Sequence, residues 1–372
     1  VEDGIDGRLP VALRVGFRTV HANDSAQTTG EEGSSGDDLD LVAIGNPLLD
    51  VIDTVTVADL ERLELEKGSM TLIDLAKATA VQATMTGPRF VSGGSVANTA
   101  AGVAVLGGSV GYIGAVADDQ EGRTYTEHLR AAGVEFEPAL SSATDGETLG
   151  TGRCVVLVTD DADRTMGTYL GAASTLTPGG VSNALIERAS IVLLEGYLWD
   201  VPAAKEAMRH AAEVSHGANG SVALSLSDPF CVGRHQREFL DLLIDDIDIL
   251  LGNEEEITML FGAGSYKDAI EAAEETGLLV VMTRGAQGAV VLTAHGPEEV
   301  AAAPVDKVVD TTGAGDLFAA GFLYGLTHGM DPVESTGLAG LCAAEVISHV
   351  GARPEADLRQ LATAAGLLSS AD

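Results

Sequence analysis

From Ala189 onward the chain alternates short apolar runs with longer amphipathic stretches: Ile191 to Leu194 then Pro202 to His216, Val222 to Leu226 then Arg234 to Leu243, Ile247 to Leu250 then Glu254 to Phe261. Short aliphatic runs bounded by turn residues fit strands buried on both faces, and each stretch between them is long enough for a helix. Repeated strand-helix units leave few architectures open, the simplest being a parallel sheet with helices on both faces. Ligands of such sheets collect beyond the carboxyl ends of the strands. That rule selects Glu195-Gly196-Tyr197-Leu198-Trp199-Asp200 and Ser227-Asp228-Pro229-Phe230 as candidate ligand loops.

Upstream, Leu39 to Ile44 reads as a buried strand ending at Gly45, and Leu60 to Leu65 and Thr71 to Met85 read as helical patterns. Val91 to Ala100 is a strand-turn-helix junction with paired glycines. Thr151 to Thr159 and Arg164 to Leu170 alternate like a hairpin around Asp160 to Asp163. Downstream, Leu278 to Thr283 and Ala289 to Leu292 read as strands, and about Val333 to His349 and Glu355 to Leu367 as helices. The first 38 residues have no sustained period and end in a Gly, Ser and acid-rich run, which predicts a disordered acidic tail before one domain over 39–372.

A formal net charge of -35 disfavours a nucleic-acid backbone or an anionic membrane as partner, since both would repel the chain. No apolar run is long enough to span a bilayer, and the start lacks a secretory pattern. Cys154, Cys231 and Cys342 show neither metal-site nor disulfide-framework spacing. The expectation is a cytoplasmic protein, monomer or homodimer, acting on small molecules.

Asp310-Thr311-Thr312-Gly313-Ala314-Gly315-Asp316 runs directly into the helical pattern Leu317 to Leu323. Small residues let the N–H groups of Gly313, Ala314 and Gly315 face one anion, and a helix N-terminus adds positive potential there. Asp316 is placed to take a proton from a hydroxyl attacking a phosphoryl group in that hole. Alone, the run would read more readily as an ordinary glycine turn with an Asp capping a core helix.

The run resembles the second signature of the PfkB/ribokinase family of carbohydrate and nucleoside kinases, D-T-x-G-A-G-D followed by F-x-x-G-F. Gly93-Gly94-Ser95-Val96-Ala97-Asn98, with Gly107-Gly108, Ile113-Gly114, Asp118-Asp119 and Gly122, resembles the first. Asn253-x-x-Glu256 resembles a third element and Thr283-Arg284-Gly285-Ala286-Gln287-Gly288 a donor-side turn. The likeness spans about residues 40 to 360. It implies a ribokinase-like three-layer α/β/α sandwich with a mostly parallel central sheet and a small β-sheet lid formed from about 46–92 and 148–172.

By the same resemblance Asp316 is the base, Gly313, Ala314 and Gly315 form the anion hole, and Arg164 reaches the transferred phosphate from the lid. Asp50, in Gly45-Asn46-Pro47-Leu48-Leu49-Asp50, binds acceptor ribose hydroxyls, helped by Asn46, Gly93, Gly94 and Asn98. Tyr197 and Phe230 occupy positions where adenosine kinases place aromatic rings. Thr283, Gly285, Thr312 and Asn253 contact ATP, and Asn253 and Glu256 orient the water shell of Mg2+. Read singly, Asp50 is a turn or cap residue, Arg164 a solvated turn residue, Asn253 a helix cap, and the glycine-alanine run a tight helix contact.

The activity implied is transfer of the γ-phosphoryl group of ATP to the 5'-hydroxyl of a nucleoside, with adenosine favoured and a monovalent cation such as K+ admitted. Alternatives are a sugar acceptor such as ribose, fructose or 2-keto-3-deoxygluconate, or a silent binding protein that has kept the fold. The chain carries no P-loop, protein-kinase or dinucleotide fingerprint, so Asp310 to Asp316 is its one strong phosphate signal.

Overall fold

The computed structural model describes residues 38–141, 149–161 and 164–369. The tail expected over 1–38 therefore lies, apart from Asp38, outside the described residues.

Nine strands form the main sheet, in spatial order Gly296–Val300, Ala289–Thr293, Leu279–Thr283, Ile249–Asn253, Ser221–Ser225, Ala189–Glu195, Leu39–Ile44, Val110–Ile113 and Val134–Phe136. All neighbours pair in parallel except the last two pairings at the Gly296–Val300 edge. The parallel strands are aliphatic because both faces are covered. Successive residues alternate between two cores: Val42, Ile44, Val192 and Leu194 pack toward one layer, Leu41, Ala43, Ile191 and Leu193 toward the other. Helices Pro202–Gly217, Pro229–Asp245, Glu254–Phe261 and Tyr266–Thr276 cover the first face, and Ser95–Leu106, Ala314–Thr327 and Pro332–Val346 the second. This is the three-layer α/β/α arrangement expected.

Leu39–Ile44 lies inside the sheet, third from the Val134–Phe136 edge. From it the chain moves to Val110–Ile113 and Val134–Phe136 on one side, then returns to Ala189–Glu195 on the other. The order reverses there, so a crevice opens beyond the carboxyl ends of Leu39–Ile44 and Ala189–Glu195.

A second sheet has the order Met70–Leu72, Arg164–Tyr169, Arg153–Val158, Leu48–Thr54, Arg89–Gly93. Val51, Val155 and Leu157 on one face pack with Leu60, Leu63, Leu65 and Val81 from its covering segments. The expected hairpin is present, Arg153–Val158 antiparallel to Arg164–Tyr169. The helical reading of Thr71 to Met85 is corrected: Met70–Leu72 is a strand beside Arg164–Tyr169, and the helix is Leu75–Gln82, capped by Asp74. Likewise Leu60 to Leu65 contains only the end of helix Val57–Arg62. The helix placed at Arg234 starts earlier, at Pro229, where Asp228 caps it, and carries non-helical torsions at His235. Among the described residues no helix is long and apolar enough to cross a membrane.

Candidate active site

Helix Ala314–Thr327 opens at Gly313, whose φ of +80° suits glycine. A Cβ on Gly313 would lie 2.7 Å from Ala352 Cα, whereas one on Gly315 would meet nothing within 4 Å. The loop is thus braced on one side and open on the other. Ala314 N–H donates to Thr311 O at 3.2 Å, so the turn itself engages one of the three expected donors. Gly313 and Gly315 N–H have no acceptor among the described residues.

Asp316 sits in the first helical turn. Ser95 Oγ donates to its Oδ1 at 2.7 Å, Asn98 Nδ2 to its Oδ2 at 2.8 Å, and Thr99 Oγ1 to its carbonyl at 3.1 Å. Helix Ser95–Leu106 comes this close because Gly102 faces Leu317 and Ala320. Burial raises the Asp316 carboxyl above its ordinary range, against the lowering effect of Asn98, Ser95 and the Arg353 guanidinium. A carboxylate of raised basicity held at both oxygens can accept a proton without losing its orientation.

Across the crevice, Asn46 donates through Nδ2 to Glu195 Oε1 at 2.8 Å and through its backbone N–H to Oε2 at 3.3 Å. Both are almost fully buried, and desolvation lifts Glu195 to about 7. Asp50 is also raised to about 7, by burial first, while Arg353 and Arg164 lower it and Asp316 raises it. Gly93 leaves room for that carboxylate: a Cβ would sit 2.3 Å from Asp50 Oδ2. Gly94, at φ +97°, lets Asn46 O approach, and Tyr125 donates to Gly93 O at 3.0 Å. Asn46 Oδ1 and Asn98 Oδ1 are buried with no partner among the described residues.

From the small sheet Arg164 pairs with Asp310 at the start of the anion loop. Asp310 also accepts from Thr312 N–H at 3.1 Å, Thr312 Oγ1 at 2.8 Å and Gly351 N–H at 2.8 Å. On the donor side Asn253 caps helix Glu254–Phe261. Asn253 Oδ1 accepts from Glu256 N–H at 2.9 Å, and Glu256 accepts in return from Asn253 Nδ2 and N–H, each at 2.8 Å. Burial raises Glu256 to about 7. Thr283 ends its strand beside Asn253, and Gly285 follows at φ +54° with open space where a Cβ would stand. No cluster of three or more His, Cys, Asp or Glu suited to a metal occurs among the described residues. This donor set does not fit a protein cage but fits a hydrated Mg2+ carried by phosphates, with Glu256 and Asn253 reached through water.

Of the two aromatic residues expected at the acceptor, Phe230 is 80% exposed on helix Pro229–Asp245, and Tyr197 packs partly against the core with its backbone N–H donating to Ser227 Oγ at 3.3 Å. Four participants were not singled out from sequence: Glu195, Ser95, Asp310 and Arg353. Glu195 carried a readable signal, an acid ending an aliphatic strand just before glycine.

A family model described as pfkB family carbohydrate kinase matches residues 63–358. An adenosine kinase of Saccharomyces cerevisiae is 31% identical over 335 residues, covering 84% of this chain and 95% of that protein. A 5-dehydro-2-deoxygluconokinase of Listeria monocytogenes is 29% identical over 287 residues, covering 74% and 87%. The crystal structure of adenosine kinase from Sinorhizobium meliloti is 39% identical, with a TM-score of 0.80 over 88% of this chain and 99% of that one. The ribokinase-like α/β fold is therefore the one observed.

Proposed function

Because the chain belongs to the pfkB family of carbohydrate kinases, whose members compared above phosphorylate sugar or nucleoside hydroxyls, we propose that it transfers the γ-phosphoryl group of ATP to the 5'-hydroxyl of a nucleoside, adenosine to AMP. The observation that carries this is the Asp316 carboxylate, fixed at both oxygens by Ser95 and Asn98 in the helical turn that follows the anion loop.

The acceptor hydroxyl gives its proton to Asp316 as its oxygen bonds to the γ-phosphorus, and the bond to the β-phosphate oxygen breaks to release ADP. Gly313 and Gly315 N–H groups and the helix N-terminus stabilise charge on the phosphoryl oxygens. Arg164, carried by the small sheet and tied to Asp310, adds positive charge to that loop. The small sheet thereby acts as the lid that excludes water. Asn253 and Glu256 would hold a hydrated Mg2+, which when bound would supply neutralisation of the donor phosphates. Asp50 suits the two vicinal ribose hydroxyls, and the buried Oδ1 atoms of Asn46 and Asn98 suit further hydroxyl donors.

Adenosine is supported by the adenosine kinases of Saccharomyces cerevisiae and Sinorhizobium meliloti compared above. A sugar acceptor is the second reading, favoured by the polar floor of the pocket, the exposure of Phe230 and the 5-dehydro-2-deoxygluconokinase relative.

The test is ADP formation with adenosine, inosine, guanosine, cytidine, ribose, fructose, 2-keto-3-deoxygluconate and 5-dehydro-2-deoxygluconate, with and without Mg2+. We expect the highest kcat/KM with adenosine, and in Asp316→Asn a kcat lower by roughly 10²- to 10⁴-fold with binding retained. Full turnover in that variant removes Asp316 as base; preference for a sugar moves the acceptor to the second reading.

A further inference from the structure

Three consecutive residues after helix Pro332–Val346 each brace a different part of the pocket. Gly351 N–H donates to Asp310, and Ala352 lies against Gly313. Arg353 reaches further: Nη1 donates to Ala97 O at 2.9 Å, while Nη2 donates to Ser92 O at 2.8 Å and meets Ser92 Oγ at 3.3 Å. Ser92 ends the small sheet, and Ala97 lies in the first turn of the helix that holds Ser95 and Asn98 on Asp316. One guanidinium therefore spans the Gly93-Gly94 hinge between lid and base.

We propose that Arg353 is a positioning residue of the acceptor pocket, its fork fastening the lid hinge to the Ser95–Leu106 helix and its charge serving as the shared counter-ion of Asp50 and Asp316. This rests on the kinase reading above for its role in catalysis and on geometry alone for its place.

A fork fits because two carbonyls at different angles need donors in fixed directions, which a lysine ammonium does not supply. A charge fits because two carboxylates in one pocket repel and one would otherwise keep its proton. The groups whose charges act on Arg353 are Tyr125 of helix Gln120–Ala131, Asp50 of strand Leu48–Thr54, Asp316 of helix Ala314–Thr327 and Tyr112 of strand Val110–Ile113. Arg164 also acts on Asp50, and Asp316 acts on Glu195 and Tyr197. Arg353 lowers both Asp50 and Asp316, and its own guanidinium is pulled below the ordinary arginine value by burial, although part of its surface reaches solvent. The residue lies 37 positions beyond the anion loop in sequence, counting from Asp316 to Arg353, so no spacing rule would select it.

The experiment titrates carboxyl carbons of aspartate-labelled protein by NMR in wild type, Arg353→Gln and Arg353→Lys, with Asp50→Asn and Asp316→Asn assigning the resonances. In Arg353→Gln the Asp50 midpoint should rise by about one pH unit, the Asp316 midpoint moving the same way. Arg353→Lys, which keeps the charge and loses the fork, should titrate near wild type but show a several-fold higher acceptor KM. Coincident midpoints in wild type and Arg353→Gln overturn the counter-ion role. So does a rise in Arg353→Lys of a unit or more, which decides the matter if Arg353→Gln does not fold. An unchanged KM in Arg353→Lys overturns the fork. The titration needs no turnover, so a wild type inactive on every acceptor would defeat the kinase reading while leaving the counter-ion role to be decided separately.

Discussion

Alanine at Gly102 would test whether the close contact between helices Ser95–Leu106 and Ala314–Thr327 sets the geometry of the base. A Cβ at Gly102 would lie 2.6 Å from Ala320 Cβ and 2.7 Å from Leu317 Cδ1. Carbon atoms in contact prefer about 3.5–4.0 Å, so the leucine tip must turn away and the helices must part by roughly 1 Å. Alanine gains about 1 kcal/mol over glycine inside a helix, while overpacking costs about 1–3 kcal/mol. The net is a loss of about 1 kcal/mol, a fall in Tm of roughly 2 °C for a chain of this size. The catalytic effect should be larger. Asn98 lies one turn before Gly102, and its 2.8 Å bond to Asp316 does not survive a displacement of that order. Misplacing a catalytic group by about 1 Å costs around 10²-fold in rate. The donor residues Asn253 and Thr283 stand on other strands, so ATP affinity should hold. The assay pairs a thermal melt with kcat at saturating ATP. A Gly102→Ala protein that is more stable and fully active would refute the reasoning, since helix propensity would then be the only term felt.

Ser95→Ala removes a hydroxyl that helps keep Asp316 ionised, so kcat should fall several-fold more at pH 6 than at pH 8; equal losses at both would show that the hydroxyl does not tune the base. The ligand-free protein should melt at a lower temperature at pH 8 than at pH 5.5. Asp50, Glu195 and Glu256 are raised by burial from ordinary values of 3.8, 4.5 and 4.5 to about 7. Between those limits the folded chain keeps protons that the unfolded chain has released, so stability present below the unfolded values is lost as pH rises through the folded ones. Glu195→Gln should flatten that slope, and a Tm that climbs from pH 5.5 to 8 would contradict it.

Strands Leu39–Ile44, Ala189–Glu195, Ser221–Ser225, Ile249–Asn253 and Leu279–Thr283 were legible as short aliphatic runs, whereas Val110–Ile113 and Val134–Phe136 were not read as strands. Met70–Leu72 was not, since three residues at the edge of a sheet carry no period and sit between better helical signals. Its parallel neighbour Arg164–Tyr169 lies more than ninety positions away, a pairing visible only in three dimensions.

The site divides along a similar line, because single side chains announce their chemistry and pairs do not. Asn46 and Asn98 were each assigned to the acceptor through the family resemblance. One donor of each proves to be committed to a carboxylate, Glu195 149 positions away and Asp316 218 positions away. An amide facing a carboxylate must present its NH2 to it, so each is left with a bare Oδ1. Arg164 is likewise joined to Asp310 across 146 positions. Each asparagine therefore keeps its Oδ1 as an acceptor and one N–H as a donor, and an ionised Asp50 only accepts. Such a pocket selects for a dense set of hydroxyls, a demand that ribose and a free sugar acid meet equally. Discrimination between them has to come from outside this polar floor, where Phe230 stands 80% exposed and Tyr197 packs partly against the core.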